Sequence, residues 1–111
     1  MDSLDELSKK IDLFNKERDW DKYHSPVNLA KSISIEANEL LECFQWNDID
    51  FSLDDVKNEL ADVINYCIQM ATRLDLNIKE IVLDKLAETE KKYPVEKARG
   101  TSVKYNKFKE E

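Results

Sequence analysis

The chain has 111 residues, 41% hydrophobic and 37% charged, and a formal net charge of −7, a balance that fits one soluble helical domain and excludes a disordered polyelectrolyte. One glycine and two prolines leave few places for tight turns, which argues against a sheet-rich fold. Residues 1–90 carry −11 and residues 91–111 carry +4, so an acidic body disfavours duplex nucleic acid, while a basic tail from about residue 94 can meet an anion or lie against the body.

In chain order, Ser3-Leu-Asp-Glu6 has the form of a capping box. Leu4, Leu7, Ile11 and Phe14 recur behind it at helical spacing to about Asp19. A second helix is expected from Asn28 to Trp46 and a third from Leu53 to Leu74, capped by Ser52 with Asp54 and Asp55 in its first turn. Asn77-Ile-Lys-Glu80 opens a fourth helix, which Pro94 ends near Tyr93. Short connections predict antiparallel neighbours, and hence a single all-α domain over residues 1–111 of four-helix-bundle type. No apolar run approaches the roughly 20 residues that a membrane helix needs, and the amino terminus does not read as a signal peptide. Cys43 and Cys67 fall inside helical patterns and make no disulfide framework, which points to the cytoplasm. Trp20, Tyr23, Trp46 and Phe51 fall at helix ends and connections, where a partner subunit or a ligand is needed to cover them.

The chemistry lies in carboxylates that face the apolar side. With Leu29 as the origin of a helical wheel, Ile33, Leu40 and Phe44 lie within about 60°, and Glu36 falls at about −20°, inside the stripe. Glu39 lies at its edge, and Glu42 points away. On the third helix Val56, Leu60, Val63, Cys67, Met70 and Leu74 form the stripe, with Glu59, Asp62 and Tyr66 together on one margin. Packed stripe to stripe, the two helices bring Glu36, Glu39, Glu59 and Asp62 together. Four ionised carboxylates in a partly buried pocket repel one another and lose hydration unless a cation is present. Hard oxygen ligands call for a hard cation, of which Mg²⁺ is the usual one. A di-iron bundle would need Glu-x-x-His pairs, but His24 is the only histidine and lies outside these helices.

Such a metal commonly serves a phosphate or an activated water. Arg99 and Lys104 in the basic tail are candidates for the phosphate oxygens, and Trp20, His24, Trp46 and Tyr66 for a flat heterocycle. Each has a plainer role open to it: helix-end plugs for the tryptophans, core margin for Tyr66, a turn for His24. As a set they point to a nucleotide with its phosphates on a metal.

Glu36-x-x-Glu39, nineteen intervening residues, then Glu59-x-x-Asp62 resembles the metal motif of the MazG-type all-α nucleotide pyrophosphohydrolases. The blocks "RDWDKYHSPVNL", "EANELLECFQW", "NELADVINY" and "KKYPVEKARGTSVKY" resemble the dCTP pyrophosphatase branch. The resemblance implies cleavage of a nucleoside triphosphate, dCTP or a related pyrimidine nucleotide, to monophosphate and pyrophosphate for cleansing of the nucleotide pool. It implies Mg²⁺, with Mn²⁺ as a substitute, on Glu36, Glu39, Glu59 and Asp62, and Glu36 or Glu39 as the base that takes a proton from water. It places Trp20, His24, Trp46 and Tyr66 at the base pocket with Asn28 beside them, and Arg99 and Lys104 in a phosphate-binding tail. A homodimer or homotetramer of interlocked helices is implied too. Asn38 stands where that branch often has glycine, Asn58 where another acid is common, and the connection after Trp46 is shorter than in vertebrate members. The competing expectations are a broad hydrolase of noncanonical triphosphates and a non-catalytic helical module whose acidic edge binds a basic partner.

Overall fold

The computed structural model describes residues 3–108, and the described residues contain helices and no strand. Five α-helices follow in order: α1 (Ser3–Glu17), α2 (Pro26–Glu42), α3 (Leu53–Arg73), α4 (Ile78–Lys92) and α5 (Val95–Ala98). Short 3₁₀ turns stand at Asp21–Tyr23 and Tyr105–Lys107. None of the helices is long and apolar enough to cross a membrane. The chain divides into two compact units, one ending at Ile78 and one beginning at Lys79.

The first unit holds α1, α2 and α3, with α3 packed against both others. Leu29 of α2 and Ile68 of α3, each 1% exposed, and Ala71 of α3 are its fully buried apolar side chains among the described residues. The expected inward face of α2 is present: Leu29, Ile33, Glu36 and Leu40 are buried or half-buried, as is Phe44 just beyond the helix end, whereas Glu42 is exposed. On α3 the pattern departs from the expected stripe. Leu60 and Leu74 are about half-exposed, Glu59 is half-buried, and Ile68 is the deepest residue. The reason is that α3 has helices on two sides, so a single apolar stripe cannot describe its buried surface.

Helix ends explain how the connections are aimed. Ser25 caps α2, its Oγ accepting the Asn28 N–H at 3.2 Å, with Pro26 in the first turn. The helix therefore starts two residues before the expected Asn28. It also stops at Glu42 rather than Trp46. The N–H groups of Cys43, Phe44 and Gln45 fall back on carbonyls three residues earlier, and the Asn47 side chain accepts the N–H groups of Ile49 and Asp50, both at 2.8 Å. That local alternative competes with helical bonding and turns the chain away. Ser52 caps α3 as expected, accepting from the Asp55 N–H. Ser3, expected to cap α1, is itself the first helical residue, and the residues before it lie outside the described ones.

Left-handed residues close α1 and α3, and with one glycine in the chain these are aspartates: Asp19 (φ 55°) and Asp75 (φ 56°). At the first of them the Trp20 N–H donates to the Asn15 carbonyl at 3.0 Å, which turns Trp20 back along α1. Its ring meets Phe14 edge-on at 5.6 Å.

The second unit holds α4, α5 and the segment to residue 108. Pro94 stands at the N-cap of α5, immediately after α4 and the Tyr93 turn, and Tyr93 meets Tyr105 and Phe108 edge-on at 5.9 and 5.6 Å. These ring contacts fasten the basic segment within its own unit.

Candidate active site

Glu36 stands one turn before Leu40 on the inward face of α2, and Glu59 and Asp62 stand on adjacent turns of α3. Packing of α2 on α3 brings one oxygen from each of Glu36, Glu59 and Asp62 within 4.8 Å of one another. Glu39, more exposed, lies outside that tightest grouping, but its carboxyl is close enough to hydrogen-bond with Glu36 and with Glu59. Two of the oxygens, Glu36 Oε2 and Glu59 Oε2, are buried and have no hydrogen-bond partner.

The electrostatics follow from that crowding. The Glu36 carboxyl is pushed up to about 7, first by hydrogen bonding with Glu39, then by burial, then by the charges of Glu39, Asp62 and Glu59. Glu59 is also raised, by burial first and by Glu39 next. Protein structures rarely leave buried carboxylate oxygens without partners. Here the carboxylates that carry the orphaned oxygens converge with Asp62, so the donor set fits a hard divalent cation, which would supply the missing partner and reverse the repulsion. Cys43 feels the same field: burial, then the Glu59 and Asp55 charges, raise its thiol.

A cavity of ≈ 290 Å³ adjoins the cluster at Asp62. Trp20, His24 and Tyr66, three of the residues singled out for a heterocycle, line it together with Phe14, Asn15, Asn65 and Gln69. His24 Nδ1 is buried without a partner. A second cavity, of ≈ 230 Å³, shares Ile11, Asn15, His24 and Gln69 with the first and contains no member of the acidic cluster.

Asn28 and Trp46 do not line the cavity at Asp62. Asn28 is engaged in the start of α2, its side chain donating to the Tyr23 carbonyl at 3.0 Å. Trp46 is 89% exposed, on the turn that replaces the expected last stretch of α2. Arg99 and Lys104 belong to the second unit, Arg99 at the end of α5 and Lys104 just before the 3₁₀ turn.

Four cavity residues were not anticipated from the sequence: Lys10, Asn15, Asn65 and Gln69. A signal for Asn15 existed. On a wheel with Leu4 at zero it falls at about 20°, inside the stripe of Leu4, Leu7, Ile11 and Phe14, just as Glu36 does on α2. It is 5% exposed, deeper than any of those apolar neighbours.

Comparison with known proteins gives a consistent set of matches. The model of the MazG-like family matches residues 31–108. Mouse dCTP pyrophosphatase 1 is 30% identical over 112 residues, covering 93% of this chain and 66% of its own. The human protein of the same name is 30% identical over 115 residues, covering 96% of this chain and 68% of its own. The chain thus spans about two thirds of these relatives. Among solved structures, a pyrophosphatase from Archaeoglobus fulgidus is 38% identical with a TM-score of 0.75, over 85% of this chain and 94% of that one.

Proposed function

The chain belongs to the MazG-like family, and from that membership we propose that it is a Mg²⁺-dependent nucleoside triphosphate pyrophosphohydrolase. The substrate we propose is dCTP or a related pyrimidine nucleotide, cleaved between its α- and β-phosphates to a monophosphate and pyrophosphate in the cytoplasm. The names of the mammalian and archaeal relatives support that reaction class. The observation that carries the reading is the convergence of one oxygen each from Glu36, Glu59 and Asp62 within 4.8 Å, in carboxylates of which Glu36 and Glu59 each keep a buried unpartnered oxygen, beside a cavity lined by Trp20, His24 and Tyr66.

Glu36, Glu39, Glu59 and Asp62 would hold the cation. When bound, the ion offsets phosphate charge and acidifies a water for attack on the α-phosphorus. Glu36 or Glu39 would take the proton released from that water, and the raised hold of Glu36 on a proton suits it to that role. Trp20 and Tyr66 offer ring faces to the base, and His24 Nδ1 offers an unpartnered polar atom. Trp46 offers a ring face for stacking from its exposed turn, and Arg99 and Lys104 are the proposed contacts for phosphate oxygens. One domain spans residues 1–111, assembled as a homo-oligomer that covers the exposed apolar side chains.

A broader hydrolase of noncanonical triphosphates is the second reading. It draws on the exposure of Trp46, which leaves the base without that ring in a single chain. The non-catalytic module is disfavoured because an acidic edge for a basic partner would keep its carboxylates solvated, not buried and orphaned. Incubating the purified protein with canonical and modified triphosphates, with Mg²⁺ or with a chelator, and identifying the products tests all three readings. Pyrophosphate from dCTP at the highest kcat/KM supports the first, and a flat profile supports the second. No pyrophosphate from any nucleotide would remove the enzymatic reading altogether.

A further inference from the structure

Asn15 sits at the deepest point of α1, in an environment that favours an apolar side chain. Its Nδ2 donates to Gln69 Oε1 at 3.0 Å, and Gln69 Nε2 donates in turn to Asn65 Oδ1 at 2.7 Å. Three amides thus form one polarised chain from the α1 interior to the surface of α3. All three line the cavity at Asp62. Each link points the same way, so the carbonyl of Asn65 is engaged by Gln69 while its Nδ2 keeps its N–H donors. The chain ends in the cavity, on a donor.

A purely structural account would have these amides satisfy one another and stop. Apolar residues of similar size at all three positions would fill the same space without any hydrogen-bond demand. The last member, however, is exposed, stands beside Tyr66, and lies one turn from Asp62 on the same face of α3. Asn65 and Gln69 lie roughly 4.5 and 10.5 Å beyond Asp62 along the helix axis. A nucleotide with its phosphates at Asp62 would extend its sugar and base along that ladder.

We infer that Asn65 is a specificity-determining residue, donating from Nδ2 to an acceptor on the nucleobase such as O2 or N3 of a cytosine ring, with Gln69 and Asn15 as its positioning residues. The inference rests on the proposed triphosphate hydrolysis and assigns the reading of the base to a particular group. Gln69 fixes the amide orientation because its own donor occupies the Asn65 carbonyl, and Asn15 fixes Gln69 in the same way.

The test measures kcat/KM for dCTP, dUTP, dTTP, dATP and dGTP with Mg²⁺ on the wild-type chain and on two variants. Asn65→Asp keeps the acceptor that Gln69 needs and removes the donor. Asn65→Leu removes both at similar volume and without adding charge. Both are expected to lower the ratio of best to worst nucleotide by about tenfold or more, chiefly through KM of the best. An unchanged ratio in both variants, or a change in Asn65→Asp alone, which would be a charge effect, overturns the inference. If Asn65→Leu does not fold, Asn65→Ala, which also lacks both donor and acceptor, takes its place with the same expectation. Wild-type protein that releases no pyrophosphate from any nucleotide ends both the functional reading and this inference, whereas active wild-type protein with unaltered variant ratios ends only this inference.

Discussion

Replacing Trp46 by alanine separates two roles that the sequence left open, a hydrophobic plug and a stacking surface. Trp46 is 89% exposed, so about a tenth of its surface is covered within the chain. A tryptophan offers up to about 250 Å² for burial, so the covered part is on the order of 25 Å². At about 25 cal/mol per Å² the substitution costs about 0.6 kcal/mol of stability. A buried plug would cost about 3–5 kcal/mol. Stacking on a base, by contrast, is worth about 1–3 kcal/mol, an increase of about 5- to 150-fold in KM. Urea denaturation, initial rates with dCTP, and calorimetric titration of Mg²⁺ read the three quantities. The expected result is a small shift in the urea midpoint, a KM raised within that range, and unchanged metal affinity. A stability loss above about 2 kcal/mol would restore the plug, and an unchanged KM would remove Trp46 from the site.

Glu59→Gln takes one oxygen donor out of the cluster and is expected to lower turnover by about 10²-fold or more while leaving the circular dichroism spectrum unchanged. Retained turnover would detach Glu59 from the chemistry. Metal-free stability should fall with rising pH. The Glu36 carboxyl is pushed up to about 7 from an ordinary 4.5, so between those values the folded state holds a proton that the unfolded state has released. That contribution is complete below the lower value and lost as pH rises through the upper one. With chelator present, the melting temperature of the wild type relative to Glu36→Gln should therefore drop between about pH 5 and pH 8, a difference that a flat comparison would refute. Ile68→Ala should cost about 2–5 kcal/mol in urea denaturation, whereas Leu74→Ala, on the stripe expected from the sequence but half-exposed, should cost about 1 kcal/mol. The reverse order would mean that the sequence periodicity of α3 describes its packing better than the structure does.

Periodicity reached α2 almost intact because that helix shows one face inward, so Leu29, Ile33 and Leu40 marked its core side and Glu36 stood out against them. It failed at the end of the helix, where Cys43, Phe44 and Gln45 bond carbonyls three residues back and the Asn47 side chain then holds the turn at Ile49 and Asp50. On α3 the averaging of two packed sides hid Ile68 and overstated Leu60 and Leu74. The acidic cluster was legible because like charges at the edge of two apolar stripes are costly wherever they occur. The amide chain was not: Asn15 alone stands out on its wheel, and the link to Asn65 and Gln69 exists only when α1 lies against α3 and their hydrogen bonds can be traced.

Glu36 and Asn15 make the same argument from opposite chemistry. Each stands beside the apolar residues of its helix, where a leucine would strengthen a small core whose buried apolar members, among the described residues, are Leu29, Ile68 and Ala71. Placing a polar group there is unfavourable unless something satisfies it. Asn15 is satisfied inside the protein, by Gln69, and so can orient a neighbour without any ligand. Glu36 is not: one oxygen remains buried and bare, and its neighbours of like charge raise its hold on a proton. The first arrangement is pre-organised for recognition, and the second is unstable until a cation or a proton arrives. That difference makes the cluster, not the amide chain, the place where ligand binding and folding stability are coupled.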